Sequence, residues 1–230
     1  MYYFPHIPKA GGTTLRNLFY QAFGTSNCLR VWNPKAGAMI GAKDFSSFEK
    51  LSEFKVVLGH LSVESFLKND EARLKFARGN VKIVTAVREP IDRIISLYNF
   101  IRVNPNHPMH TAMQSIDAFD FLQSQAPNFQ LRFLSHCDRT DIETVFASMT
   151  ILPLEKSTTL LKKHLEATQG ATLKEIEPKN RTADRPGASN LLKRAMLNED
   201  QLDKLCQIHH HDIQLHKRSL SMFGLDSTVN

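Results

Sequence analysis

A run of small and polar residues separates the first apolar segment of this chain from its first amphipathic segment. It reads His6-Ile7-Pro8-Lys9-Ala10-Gly11-Gly12-Thr13-Thr14-Leu15. Glycines let backbone N–H groups approach a ligand closely, and the start of a helix presents unpaired N–H groups and a positive dipole end. The order of these parts therefore predicts a strand, a loop that suits a phosphate or sulfate group, and a helix that begins near Thr13.

Three kinds of group in this loop are available to an anion. Lys9 supplies a positive charge, Thr13 and Thr14 supply hydroxyl donors, and Ala10-Gly11-Gly12 supplies backbone amides. The loop differs from the nucleotide-triphosphate signature G-x-x-x-x-G-K-[ST], because its lysine precedes its glycines. On its own, the loop leaves an anion site and an ordinary tight turn equally open.

A second segment joins a buried strand to another helix. Residues 81–87 are rich in β-branched side chains, and Arg88-Glu89-Pro90 follows where a helix begins. Arg88 therefore lies at the carboxyl end of a strand, where open α/β sheets bind ligands. Ser96 falls two turns into the helix and off its apolar stripe. Taken alone, the segment would indicate a surface arginine and a solvated serine.

Together, the two segments resemble the sulfotransferases that use 3′-phosphoadenosine-5′-phosphosulfate (PAPS). That family has a P-K-x-G-[GT]-[ST] loop and an R-[DE]-P-x-x-R-x-x-S-x-[YF] segment, which appear here as Pro8 to Thr13 and as Arg88 to Tyr98. The HIPK-x-GGT form of the first motif is most similar to the branch that contains the heparan sulfate and chondroitin O-sulfotransferases.

The resemblance implies a role for each residue of the two motifs. In this family the first loop holds the 5′-phosphosulfate, and that role falls here on Lys9, Ala10, Gly11, Gly12, Thr13 and Thr14. Lys9 would also stabilise negative charge on the departing phosphate oxygen. Arg88 and Ser96 would hold the 3′-phosphate, which distinguishes PAPS from an ordinary nucleotide. This chemistry requires no metal ion.

The resemblance also singles out His60 as the catalytic base. Residues 54–58 predict a buried strand that ends at Gly59-His60, and a Gly-His pair at the corresponding place supplies the base in the heparan sulfate 2-O-sulfotransferase-like branch. Histidine suits this role because its ordinary pKa is about 6.5, so the rate should fall in acid near that value unless neighbouring groups move the pKa. A lone histidine is otherwise more often structural, and Glu64 is the alternative base or an orienting partner.

A late segment, residues 171–188, is polar and lacks any periodicity. A stretch this long without regular structure is usually functional or mobile. In related sulfotransferases a late basic loop covers the adenosine and the 3′-phosphate, and by that resemblance Arg181 and Thr182 contact the cofactor. A solvated linker is an equally weighted alternative.

The last predicted helix begins near Glu199 and carries several potential metal ligands, which are Cys206, His209, His210, His211 and His216. Cys206 and His210 have the i, i+4 spacing of a pair on one helix face. Adjacent histidines point in different directions, and the sequence offers no obvious partner ligands elsewhere. A partly exposed helix face is therefore favoured over a metal site.

The alternation of strand and helix patterns predicts an α/β fold with a mainly parallel sheet flanked by helices, which the resemblance makes P-loop-like. The predicted strands are 2–6, 54–58, 81–87 and 150–154, and the predicted helices are about 13–23, 90–102, 115–125, 155–168 and from 199 onward. The length of 230 residues suits one domain, 1–230, although two small domains would also fit.

Composition limits the partners and the cellular setting. The formal net charge of +6 agrees with anionic ligands, but the basic residues are scattered, which disfavours nucleic acid. No apolar run is long enough to predict a membrane span, and unclustered cysteines favour a reducing compartment. We expect a cytoplasmic enzyme of bacterial type or the trimmed catalytic domain of a Golgi-type enzyme.

These features predict a sulfotransferase that moves the sulfuryl group of PAPS to a hydroxyl of an acceptor. Family resemblance favours a carbohydrate, and oligosaccharide, polysaccharide, lipid-linked sugar and small metabolite all stay open. His107, His110 and Arg132 are candidate acceptor contacts because they are polar and near predicted loops. One alternative is a kinase-like or NTP-hydrolysing enzyme that uses the first loop as a phosphate cradle. Another is a non-catalytic binder of anionic glycans.

Overall fold

The centre of the molecule is a six-stranded sheet in which every pairing is parallel. The computed structural model describes residues 1–32, 40–136, 141–170, 172–176, 182 and 188–225. The strands are Tyr2–Pro5 (β1), Cys28–Trp32 (β2), Ile40–Gly41 (β3), Val56–Gly59 (β4), Lys82–Val87 (β5) and Thr150–Pro153 (β6). Their order across the sheet is β3-β2-β4-β1-β5-β6.

Strand β1 lies between β4 and β5, and its register aligns its carboxyl end with that of β4, whereas β5 continues to Val87. Tyr3 pairs with both Val57 and Ile83, and Pro5 lies opposite Gly59. Parallel strands present their carboxyl ends at one edge of a sheet. The segments that follow β1, β4 and β5 therefore begin side by side at this edge.

Helices cover both faces of the sheet. They are Gly12–Phe23 (α1), Val63–Leu67 (α2), Asp70–Ala77 (α3), Pro90–Val103 (α4), His110–Met113 (α5), Ala118–Gln123 (α6), Phe129–Leu134 (α7), Ile142–Ser148 (α8), Leu154–Gln169 (α9), Glu199–Ile208 (α10) and His210–Met222 (α11). The apolar residues of each long helix recur at helical spacing, so they form one stripe, and this stripe faces the core.

The core divides into clusters on the two faces of the sheet. On the α1 face, Phe4 and Leu58 of the strands pack with Leu18 of α1 and Leu161 of α9. On the opposite face, the apolar side chains of Tyr3, Leu29, Val57, Phe66, Leu131 and Leu215 pack together. Successive side chains of a strand point to opposite faces, so β1, β2, β4, β5 and β6 each contribute to both clusters.

The predicted α/β fold with a parallel sheet flanked by helices is confirmed, and each predicted strand lies close to its expected bounds. The sequence did not predict β2 or β3. The single helix predicted from 199 onward is wrong, because the backbone leaves helical geometry at His209 with φ −110° and ψ 22°. The helix predicted at 115–125 is also shorter and occupies Ala118–Gln123.

Within the described part of the chain, none of the helices combines the length and the apolar character needed to cross a bilayer.

Candidate functional site

The loop between β1 and α1, residues 8–14, is called the glycine loop below. Lys9 and Gly11 both adopt the left-handed conformation, with φ of 69° and 72°. This conformation is uncommon for a residue that has a side chain, so the backbone of Lys9 is strained. Gly11 is the N-cap of α1, and no side chain caps this helix. Its first N–H groups therefore have the arrangement that binds anions.

Gly12 is required because the ring of His6 packs directly against it. A Cβ atom at position 12 would lie only 1.9 Å from the His6 ring. Thr14, one half-turn further, is buried, whereas Thr13 is half-buried. On the other side of the loop, a Cβ at Gly11 would lie 2.5 Å from Leu154. The loop is thus held between the end of β1 and the start of α9.

The structure brings the second motif to the glycine loop. Arg88 follows β5, and its Nη1 donates to the backbone carbonyl of Lys9 at 3.5 Å. The Lys9 ammonium lies 4.1 Å from the centre of the Phe100 ring in α4. Burial lowers the pKa of Arg88, and Asp92, Glu155 and Glu89 oppose this shift. Arg88 remains a cation, so the two motifs place two positive side chains at the same loop.

The backbone of Arg88 is fixed by Gln130 of α7, a fully buried residue. Gln130 Oε1 accepts from the Arg88 amide at 3.0 Å, and Gln130 Nε2 donates to the Arg88 carbonyl at 2.7 Å. The backbone N–H of Gln130 in turn donates to the carboxylate of buried Asp212 at 2.9 Å. Sequence analysis missed Gln130, because a glutamine in a six-residue helix has no distinguishing pattern.

His60 follows β4 at the same edge of the sheet. Its Nδ1 lies 2.7 Å from the carbonyl oxygen of His6. A carbonyl only accepts hydrogen bonds, so Nδ1 carries the proton and the lone pair of neutral His60 is on Nε2. The adjacent Gly59 is required by close packing, since a Cβ there would lie 1.6 Å from the Val31 carbonyl. Gly59 therefore allows the backbone of β2 to lie close to β4, and the hydrogen bond to the His6 carbonyl fixes the tautomer of His60.

The His60 ring lies between two other aromatic rings. Its centroid is 4.3 Å from that of His6, with a stacked geometry, and 3.8 Å from that of Trp32. Burial, together with the charges of Arg16 and Arg30, lowers the pKa of His60 to about 4, although the hydrogen bond to His6 opposes the shift. The expected pKa near the ordinary histidine value is therefore wrong. The imidazole of His60 is therefore neutral over the whole physiological range.

His6 is a second histidine of the site that sequence analysis did not single out. It is 7% exposed. Burial and the charges of His60, Arg16 and Arg30 keep its pKa well below the ordinary value. Its ring and its carbonyl oxygen, rather than its protonation, position His60.

The other predicted site residues differ in how far they are buried. Ser96 is half-buried in α4. Glu64 of α2 has a side chain 67% exposed and pairs with Lys68 at 3.0 Å. Thr182 is half-buried, and Arg181 lies outside the described residues. Ala10 is buried and contributes to the core on the face opposite α1.

The candidate acceptor contacts lie on segments that come after β5 in the chain. Arg132 is exposed on α7, and His110 begins α5, where its Nδ1 lies 3.2 Å from the Ile101 carbonyl. His107 is near His110. Burial lowers the pKa of His107, and the charge of His110 lowers it further. All three residues come after β5 in the chain, whereas His60 comes directly after β4.

The histidine group of the last helices does not form a metal centre in the described part of the chain, where no three potential ligands gather. His209 is fully buried, and burial with the charge of Arg93 lowers its pKa to about 4. His216 lies 3.2 Å from Glu155, the second residue of α9. The rings of His210 and His211 are 3.8 Å apart. Of these residues, His216 joins α11 to α9 through Glu155.

A parallel α/β sheet with a glycine loop, two cations and a histidine at one edge defines an enzyme class that handles phosphate or sulfate groups. The chain belongs to the Sulfotransferase family, whose sequence model it matches over residues 3–217. This match confirms the family that the two motifs predicted. Comparison with functionally characterised proteins gave no significant sequence match.

Two solved structures are similar to this chain at low identity. One is mouse sulfotransferase SULT7A1 complexed with PAP, with 17% identity, a TM-score of 0.41 and coverage of 90% of this chain. This chain spans 62% of the length of the mouse protein. The other is a sulfotransferase from Alicyclobacillus acidocaldarius, with 12% identity, a TM-score of 0.49 and coverage of 98% of this chain and 96% of that one.

Proposed function

We propose that this chain transfers the sulfuryl group of PAPS to a hydroxyl of a saccharide acceptor, and that residues 1–230 act as one domain. The observation that supports this most strongly is the contact between Arg88 and the Lys9 carbonyl, 3.5 Å apart. Two motifs far apart in the sequence meet at one edge of the sheet, as a donor with phosphates at both its 5′ and 3′ positions requires. His60 follows the neighbouring strand, where an acceptor hydroxyl would be deprotonated.

The residues of the site fit the two anionic ends of the donor. The uncapped start of α1 and the left-handed Gly11 leave backbone N–H groups available to a 5′-phosphosulfate, with Lys9, Ala10, Gly12 and the two threonines beside them. Arg88, which follows β5, and Ser96, which lies within α4, would hold the 3′-phosphate. Arg181 and Thr182 would cover the nucleotide. None of these assignments requires a metal ion.

The chemistry divides between the donor and the residues of the chain. PAPS supplies an activated sulfuryl group whose S–O bond to the 5′-phosphate breaks as the acceptor O–S bond forms. His60 Nε2 accepts the proton of the acceptor hydroxyl, because Nδ1 is already occupied by its bond to the His6 carbonyl. Lys9 offsets the negative charge that grows on the phosphate oxygen.

The Gly59-His60 pair and the HIPK-x-GGT form of the loop support the heparan sulfate 2-O-sulfotransferase-like branch as the nearest functional type. In that branch the acceptor is a polysaccharide. A screen of saccharides with isotope-labelled PAPS would identify the acceptor. Transfer of label only to small non-sugar hydroxyls would contradict a saccharide acceptor.

Calorimetry with three nucleotides tests the donor. We expect 3′-phosphoadenosine-5′-phosphate (PAP) to bind at least about tenfold more tightly than AMP, because one charge-assisted hydrogen bond contributes about 1.5–3 kcal/mol. Arg88→Met should remove this preference, whereas Arg78→Met, on the exposed end of α3, should leave it intact. Equal affinity for PAP and AMP, or tighter binding of ATP with magnesium, would favour the kinase-like alternative.

A further inference from the structure

The ring of Phe100 is held in place by its surroundings in and around α4. Phe100 is half-buried and packs against the apolar cluster in which α4 meets α6 and α10. Its ring also meets the ring of His107 edge to face, with centroids 5.9 Å apart and ring planes at 82°. Both contacts come from segments that follow β5, so the position of the ring is set by the same part of the chain that carries Arg88 and Ser96.

Phe100 faces the glycine loop. The Lys9 ammonium lies 4.1 Å from the centre of the Phe100 ring, which is the shortest distance between a cation and a ring among the described residues. A cation within about 6 Å of a ring centre is attracted by the negative face of the ring. Residues four apart share one helix face, so the face of α4 that meets Lys9 also carries Ser96.

Lys9 is held at its backbone and at the far end of its side chain. Its backbone adopts a left-handed conformation, and its carbonyl accepts from Arg88 Nη1 at 3.5 Å. Between the backbone and the ammonium, a lysine has a flexible four-carbon stem that allows the charge to take many positions. The contact with Phe100 therefore restricts the ammonium to one side of the loop, next to α4.

A ring holds an ammonium in a different way from a carboxylate. A carboxylate beside the ammonium would cancel its charge and would repel the phosphates of a donor. The face of a ring attracts the ammonium through its quadrupole and adds no formal charge. An ammonium that is positioned by a ring therefore keeps its full charge for an anion that binds in the glycine loop.

We propose that Phe100 is a positioning residue, which holds the Lys9 ammonium where it meets the 5′-phosphate of the donor. Phe100 acts through Lys9 and not by contact with the reacting atoms. The inference rests on the proposed function, because that function gives Lys9 a phosphate to bind and a leaving oxygen to stabilise. Positioning of this kind matters because a misplacement of about 1 Å can cost about 100-fold in rate.

Two nucleotides that each lack one phosphate of PAP separate the two halves of the donor site. The affinity for PAP divided by that for adenosine 3′-monophosphate (3′-AMP) measures binding of the 5′-phosphate, and is called the 5′ ratio. The affinity for PAP divided by that for AMP measures binding of the 3′-phosphate, and is called the 3′ ratio. Calorimetry gives both ratios without an acceptor. Phe100→Leu should lower the 5′ ratio about threefold or more and leave the 3′ ratio unchanged.

Conservative changes show whether the ring itself is responsible. Phe100→Tyr keeps the ring face and should retain most of the 5′ ratio. Replacement of Phe100 by phenylalanines with one, two and three ring fluorines weakens the negative face stepwise with little change of shape, so the 5′ ratio should fall stepwise. Phe76→Leu is the matched control, because Phe76 is half-buried on α3 and meets His136 edge to face at 5.6 Å.

A double variant shows whether Phe100 acts through Lys9. Lys9→Ala removes the ammonium, so Phe100→Leu should cause no further loss of the 5′ ratio in the Lys9→Ala protein. An equal loss with and without the lysine would mean that Phe100 supports the loop in another way, and the inference would be wrong.

The remaining outcomes separate the inference from the function on which it rests. If the wild type fails to prefer PAP over AMP, the proposed function is wrong, and the inference with it. If the wild type prefers PAP but the 5′ ratio survives both Phe100→Leu and fluorination, Phe100 does not position Lys9 and the sulfotransferase assignment stands. A 5′ ratio that rises on fluorination would also overturn the inference, because the ring would then compete with the phosphate for the ammonium.

Discussion

Gln130 holds Arg88 by both of its backbone groups, accepting from the amide at 3.0 Å and donating to the carbonyl at 2.7 Å. The geometry resembles the pairing of a neighbouring strand, but it is supplied by one side chain. Asp212 of α11 fixes Gln130 in its turn by accepting from the amides of Gln130 and Leu131. The direction of the Arg88 guanidinium therefore depends on two residues that lie behind it, in the core.

Gln130→Leu should reduce the preference for PAP over AMP. Leucine has a similar size but removes both hydrogen bonds to the Arg88 backbone, so the backbone that carries the guanidinium is no longer held in place. Relative to AMP, we expect PAP affinity to fall about tenfold, the equivalent of one charge-assisted hydrogen bond. Calorimetry with both nucleotides measures the ratio.

A change in the ratio, rather than in stability alone, shows that Gln130 positions Arg88. Gln169→Leu, at the exposed end of α9, is the matched control and should leave the ratio unchanged. A Gln130→Leu protein that is less stable but keeps the full preference for PAP would make Gln130 purely structural.

His60→Ala should lower turnover about 100- to 10,000-fold while PAP still binds, as expected for the loss of a general base. In the wild type, the pKa near 4 keeps His60 neutral and active above that value, and protonation removes the base as the pH falls through it. The acid limb of kcat/KM should therefore have its midpoint near pH 4 and disappear in the variant. His211→Ala, at an exposed histidine of α11, is the control, and an active His60→Ala enzyme would make Glu64 the next residue to test.

Lys9→Ala should lower kcat about 100- to 1,000-fold and affect PAPS binding less. The charge of the lysine matters most when negative charge grows on the phosphate oxygen. Steady-state and single-turnover rates separate the two effects. Lys9→Arg retains the charge and should recover part of the rate. A change confined to the KM for PAPS would make Lys9 a binding residue only.

Gly12→Ala should destabilise the protein by about 1–3 kcal/mol, because the new methyl group would overlap the His6 ring. Urea denaturation gives the free energy of unfolding. The double variant Gly12→Ala/His6→Ala removes the overlap and should recover part of the loss. If the two substitutions were simply additive, the contact between these residues would not determine the stability of the loop.

Stability should fall as the pH is lowered from about 6.5 to about 4. His60 and His209 both have a pKa near 4 in the folded protein, below the ordinary value near 6.5, so the unfolded chain binds more protons in this window. Each contributes at most about 2 kcal/mol between pH 7 and pH 5. His209→Phe should flatten the dependence in urea titrations at both pH values, and an unchanged slope would exclude His209.

The main strands could be predicted because their apolar residues form continuous buried runs. Strand β2 escaped prediction because Arg30 interrupts its run and α1 covers Arg30 only in part. The break at His209 was also invisible, because the helical spacing of apolar residues continues through it. Short helices such as Phe129–Leu134 are set by contacts with distant residues and not by periodicity.

Prediction of the site was uneven for a related reason. The cations of the two motifs lie beside strand ends, which periodicity reveals, and the structure places Arg88 against Lys9. The environment of His60 comes from β2, α1 and the backbone of His6, which only the folded chain brings together. Its expected pKa therefore failed, and Trp32, Arg16 and Arg30 were missed.

The central position of β1 has a consequence for how the protein is made. Its neighbours are Val56–Gly59 and Lys82–Val87, and Leu154, which covers Gly11, follows β6. Pairings between segments this far apart form late, because the intervening chain must first be closed into loops. A nascent chain that stops before Leu154 should therefore bind no nucleotide, and the appearance of PAP binding during synthesis would report that the sheet has closed around its first strand.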